Sequence, residues 1–170
     1  MLHRKKQARG FTLAEIAIAL CVFTLLTLAC ASAFPAAMKA SHTGSSYAQA
    51  ALTSQHKIDQ CRQQGYTNVY AGGAVVTALS GLNIVDAGSG LQNPTGYPAG
   101  SVSYTFTGAD NLAASNLPPG ATGTLVIGPP SSGTRWTPAG QIVQVTVVIA
   151  WPSGLQGAGQ FTTHTLLVNG

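Results

Sequence analysis

Glu15 is the one acidic residue in the apolar stretch 11–34, and a carboxylate in such a place calls for a chemical partner. Leu13, Ile16, Ile18 and Leu20 surround it with a membrane-seeking helix pattern, in which an ionised carboxylate is costly. A positive charge comes close if the chain is cut after Gly10. Phe11 would then carry a new α-amine about one helical turn from Glu15, and the two could pair. Glycine suits the residue before such a cut, because it lets the backbone lie extended in a protease site with no side chain in the way. Two plainer readings remain open. Gly10 can be a helix-start glycine, and Glu15 can snorkel to the cytoplasmic headgroups.

Other candidate chemistry is thin. Catalysis needs a nucleophile with its base, or converging metal ligands, and His3, His42, His56 and His164 are scattered with no ligand spacing to Cys61 or the aspartates. All four are expected at solvated or edge positions. The glycines of 154–159 stand in the reverse order of a phosphate loop and no helix follows, so the stretch is expected to be a hairpin loop. Asp86 and Asp110 are single acids in loops, outside any D-x-D-x-D calcium pattern. No enzyme activity, cofactor or metal is therefore expected. Among the three cysteines, Cys21 and Cys30 lie nine residues apart on one helix and point from roughly opposite faces, as small apolar helix residues do. Cys61 is the odd one, with an intermolecular disulfide open to it.

The chain of 170 residues suits one domain plus a membrane segment. Its formal charge of +4 is not a nucleic-acid signature, since Arg4, Lys5, Lys6 and Arg9 are confined to the leader. Lys39, Lys57, Arg62 and Arg135 then balance Glu15, Asp59, Asp86 and Asp110, leaving no basic stripe for phosphates. A charged share of 7% with 20 glycines is far below the quarter or so of a cytosolic domain and fits an exported, surface-assembled chain.

Four segments follow from the patterning. Residues 1–10 form a basic leader that should stay in the cytoplasm, and 11–34 a helix of about 36 Å that can span a bilayer. Residues 35–65 continue it as an amphipathic outer half-helix, weakened over 35–46 by Pro35 and the Ser/Thr/Gly run. Its buried stripe is expected to be Ala48, Ala51, Leu52, Gln55 and Ile58, with Lys57, Gln60 and Gln63 facing elsewhere and Gly65 as the stop. Residues 66–170 make the head. Alternation predicts strands over 102–107, 124–127, 141–151 and 159–168, the last two as a terminal antiparallel hairpin. The Val143, Val145, Val147, Ile149 and Trp151 face should be the core, opposed by Phe161, Thr163, Thr165 and Leu167 or by their complement. Residues 72–85 are a weaker strand candidate, and 86–101 and 108–121 read as loops.

The basic leader, Gly10, Phe11, Glu15 and the apolar helix, coinciding in that order, resemble type IV prepilins over about the first 35 residues. Residues 48–52 and 57–62 look, less specifically, like the helix of minor pilins and minor pseudopilins. The resemblance implies an α+β, pilin-like fold, with a long N-terminal helix packed on a small antiparallel β-sheet. It implies cleavage after Gly10 by a prepilin peptidase, N-methylation of Phe11, and an assembly salt bridge from Glu15. The implied role is a minor structural subunit of a type IV pilus or a type II secretion pseudopilus. A surface-binding, adhesin-like tip pilin or a DNA-uptake pseudopilin is the alternative. Implied partners are the peptidase, other pilin subunits, an inner-membrane assembly platform and membrane lipid, with no nucleic acid. The implied location is the inner membrane, crossed once, with the C-terminal domain outside the cytoplasm. In such relatives a helix-breaking proline often comes a little earlier than Pro35.

Two other leaders compete. A secretory signal could end at Ala31-Ser32-Ala33, but an apolar run of about 24 residues containing Glu15 exceeds the roughly 7–15 of a signal core. A lipid on Cys30 would follow Thr27-Leu28-Ala29, where Thr replaces the usual branched aliphatic residue.

Overall fold

The structure is a computed structural model that describes residues 11–71, 74–76, 79, 81, 83–130, 141–152 and 158–169. Gly10, His3, Arg135 and most of the 154–159 loop lie outside the described residues. The chain forms two compact units, Met1–Ser41 and His42–Gly170, and helix α1 (Leu13–Val69) contributes to both.

In the first unit every residue from 11 to 41 is exposed. The helix here contains an 18-residue window of mean hydropathy 2.4, none of it buried within the chain, which is long and apolar enough to cross a membrane. Three of its hydroxyls bond back inside the helix: Thr24 Oγ1 donates to the Cys21 carbonyl (2.8 Å), Thr27 Oγ1 to that of Thr24 (2.9 Å) and Ser32 Oγ to that of Ala29 (2.9 Å). Such back-bonding is what an apolar medium demands of Ser and Thr. Pro35 does not end the helix, and the stretch 35–46 expected to be weak is helical throughout.

The second unit is α+β, with the outer part of α1 and an antiparallel sheet sharing one core. The buried face of α1 is Ser46, Ala50, Ser54, Lys57, Ile58 and Cys61, spaced three and four apart. This corrects the expected stripe: Ala48, Leu52 and Gln55 are exposed, Leu52 at 66%, and Lys57 points inward. The face mixes the small Ser46, Ala50, Ser54 and Cys61 with the large Lys57 and Ile58. Gly65 interrupts the helix with φ 74°, a left-handed value that glycine adopts without penalty. One more turn then brings Tyr66 and Val69 into the core, so the break falls at Gly65 but the element ends at Val69.

β1 (Tyr70–Ala71) and β2 (Ala74–Val75) form a separate two-stranded ladder, of which only β2 falls within the strand expected over 72–85. The main sheet has the order β3 (Leu91–Gln92), β4 (Val102–Thr105), β5 (Thr122–Gly128), β6 (Ile142–Trp151) and β7 (Gly159–Val168), each neighbour antiparallel. β3 lies inside a stretch expected to be loop, β4 ends two residues early, and β5 is longer than expected at both ends. The terminal hairpin pairs Val145 with Thr165 and Trp151 with Gly159. Val143, Val145, Val147 and Ile149 are fully buried, and Thr165 and Leu167 of the expected β7 face are buried beside them. Tyr47 of α1 meets the Trp151 ring edge to face at 5.1 Å.

Candidate functional site

Glu15 sits at the start of α1, and its surroundings are built by its own turn. Thr12 precedes the first helical residue, and its carbonyl accepts the first helix bond from Ile16 N (3.2 Å). The Thr12 backbone N–H donates to Glu15 Oε2 (2.8 Å), the Thr12 hydroxyl donates to the same oxygen (2.9 Å), and Glu15 N–H donates to Thr12 Oγ1 (3.3 Å). This is a capping box: residues T-x-x-E satisfy two otherwise orphaned donors reciprocally, and the carboxylate lies at the positive end of the helix dipole. Phe11 and Ile16 occupy the positions of a hydrophobic staple and line, with Ala19, Leu20 and Phe23, the apolar surface around Glu15.

The carboxylate therefore has partners without any amine. Thr12 was missed in the sequence reading, although the T-x-x-E spacing announces it. The helix begins at Leu13, and Phe11, the described residue ahead of the Thr12 cap, is 84% exposed. An α-amine at Phe11 would stand next to the Thr12 N–H that already contacts Glu15. Gly10, the other expected processing residue, lies outside the described residues.

A second polar centre lies in the head. Lys57 is fully buried, and its ammonium donates to the Ile84 carbonyl (2.7 Å) and to Asp110 Oδ1 (2.9 Å), with the Phe106 ring centroid at 5.0 Å. Buried charges persist only when paired in this way. The neighbouring Asp86 holds the turn together. Its Oδ1 accepts from Ala109 N (2.6 Å) and its Oδ2 from Thr105 Oγ1 (2.9 Å). Burial pushes the Asp86 carboxyl up, but hydrogen bonds from Ala109, Thr105, Gly108 and Thr107 outweigh it and hold the group below the usual carboxylate range. The two aspartates are thus structural anchors of the 105–112 segment.

Cys61 is also fully buried, which removes it from intermolecular disulfide chemistry in the folded head. Burial pushes its thiol up to about 11, against a smaller opposite pull from Lys57. His42 and His56 are exposed fourteen residues apart on α1, and His164 is exposed on β7. Among the described residues no group of three or more His, Cys, Asp or Glu is arranged to hold a metal. No family model, curated protein or solved structure matches the chain.

Proposed function

We propose that the protein is a minor subunit of a type IV pilus or a type II secretion pseudopilus, cleaved after Gly10 by a prepilin peptidase and methylated on Phe11. Its helix would hold it in the inner membrane, with the head outside the cytoplasm, and then enter a filament of like helices. One observation carries the reading: the apolar side chains of 11–38 have no cover among the described residues, with Leu13 86% and Leu28 70% exposed, while the described core of the head includes none of them. Such a surface needs lipid first and the helices of other subunits afterwards. The basic leader, Gly10, Phe11 and Glu15 give that helix its direction and its processing point. In the membrane monomer the capping box provides for Glu15. In a filament, a neighbouring subunit's Phe11 amine would add its charge to the same carboxylate.

Intact-mass analysis after co-expression with a prepilin peptidase should give a chain beginning at N-methylated Phe11. A mature start at Phe34, or lipid on Cys30, would overturn the reading. Thr12→Ala and Glu15→Ala separate the two jobs of the carboxylate. Thr12→Ala loses the hydroxyl half of the capping box and keeps the backbone N–H bond to Glu15, whereas Glu15→Ala loses the carboxylate that would partner the amine. Thr12→Ala is expected in sheared filaments at near wild-type level, and Glu15→Ala at about a hundredfold less or lower. Equal incorporation of the two would reduce Glu15 to a helix cap.

A further inference from the structure

The sheet face opposite the core carries a cavity of about 410 Å³, within the roughly 300–1,000 Å³ of small-ligand clefts. Its floor follows from strand alternation. Gln144 and Thr146 lie between the buried Val143, Val145 and Val147, so they face away from the core. The register sets Val126, Thr146 and His164 side by side across β5, β6 and β7, with Thr162 on the same face of β7. One wall is the segment 93–101, which brings Tyr97 over this floor.

That wall is preorganised. Asn93 N–H donates to the Ser101 carbonyl (2.8 Å), Gly100 N–H to Asn93 Oδ1 (2.7 Å) and Ser101 N–H to the Pro98 carbonyl (3.1 Å). Ser101 then rests directly on Gly128 of β5, where any side chain would collide with it. A binding wall held in this way loses little entropy on engaging a ligand.

The chemistry of the lining is narrow. Among the described residues the lining contains no Asp, Glu, Lys or Arg, so none of these side chains compensates a phosphate, a carboxylate or an ammonium. It does offer an amide, hydroxyls and an imidazole, groups that both donate and accept, with Gln144 Nε2 and Thr146 Oγ1 already oriented by their mutual bond (3.2 Å). Tyr97, with Pro98 beside it, adds a flat apolar surface. We infer that this groove binds an uncharged carbohydrate, whose hydroxyls meet Gln144, Thr146, Thr162 and His164 while the C–H face of one ring stacks on Tyr97. The site lies wholly in the head and is independent of how the N-terminal helix is processed.

The ligand could be a polysaccharide of the cell's own wall or a glycan of another surface, and one array separates them. The full chain, in lipid nanodiscs because sugar-based detergents carry the ligand's own chemistry, is applied to N-acetylglucosamine oligomers, galactose oligomers, glucose oligomers, and sialylated and sulfated controls. Binding is expected to the wall-type N-acetylglucosamine oligomers or to one of the other neutral series. It should weaken about tenfold or more in Tyr97→Ala. Thr162→Arg, at an exposed position where the fold tolerates bulk, should block the groove equally, with an unchanged near-ultraviolet circular dichroism spectrum. Affinity should change less than about twofold between about 0.05 and 0.5 M NaCl, because no ion pair forms. Binding confined to the sialylated or sulfated controls, no binding to any neutral series, or wild-type binding by both variants would overturn the assignment.

Discussion

From residue 11 to residue 41 every side chain is exposed, whereas in the head four aliphatic residues of β6 alone are sealed at 0%. The two regions also treat charge differently. Glu15 is served by Thr12, three residues away and at the surface, while Asp110 is served by Lys57, 53 residues away and fully buried. The head's specificity is written into its own core, so damage there should be read as loss of folding. The first segment has no such core, and on the proposed reading damage there should be read as loss of association.

The largest effect that could break this contrast comes from one carboxylate placed in each region. Val145→Asp puts an unpaired charge into the middle of β6, at several kcal/mol out of a stability of roughly 5–15, and the head should lose its cooperative thermal transition. Leu25→Asp, in the exposed segment, should leave that transition where it is while impairing membrane insertion. A shared response of the two variants would abolish the distinction.

The Lys57 pair sharpens the contrast with a smaller effect. Lys57→Ala strands Asp110 and opens a void beside Phe106, and urea denaturation should show a loss of about 3–5 kcal/mol. Replacing both partners together, as Lys57→Met with Asp110→Leu, should recover most of that loss, since a buried pair often gains little over a well-packed apolar substitute. Recovery would mean that the pair selects a geometry more than it stabilises the head.

The smallest effect is alkaline. The Cys61 thiol is raised from 9.0 to about 11 by burial, so it keeps its proton in the fold at a pH where the unfolded chain has lost it. The corresponding stability is present below pH 9 and is lost as the pH rises towards about 11. Burial also raises Tyr70 and Tyr104, which act in the same direction. Cys61→Ala should make the decline between those pH values shallower, and an unchanged slope would assign it to the tyrosines.

How much of this was legible depends on the reach of each interaction. The β6–β7 hairpin was, because valines at every second position leave one face to choose, and the bounds of β7 agree with the alternation at both ends. The five residues predicted to form the β6 core face are all buried. The buried face of α1 was not, because hydrophobicity favoured Leu52, which is exposed, whereas the core buries Ser46, Ala50, Ser54 and Lys57, residues that hydrophobicity does not single out. Lys57 could not be read from the sequence, because a lysine on a helix is ordinarily solvated and its partners arrive from two distant loops. The Thr12 cap was written in the sequence as T-x-x-E, but a carboxylate in an apolar run points first to an amine or to the headgroups, and its own turn supplies the partner instead. The two-residue strands β1, β2 and β3 are too short for any period to register.

Lys57 also sets an order of events. Its ammonium leaves water for Ile84 and Asp110, across sequence separations of 27 and 53. Both closures must come before the charge can be buried, although the longer costs only about 0.6 kcal/mol more in loop entropy than one half its length. The helix can therefore coil early, yet its final seating waits for the 105–112 turn. Interactions completed that late act mainly on how fast the native state opens. The Lys57 variants should consequently reveal themselves in the unfolding limb of a chevron plot, with the refolding limb nearly unmoved.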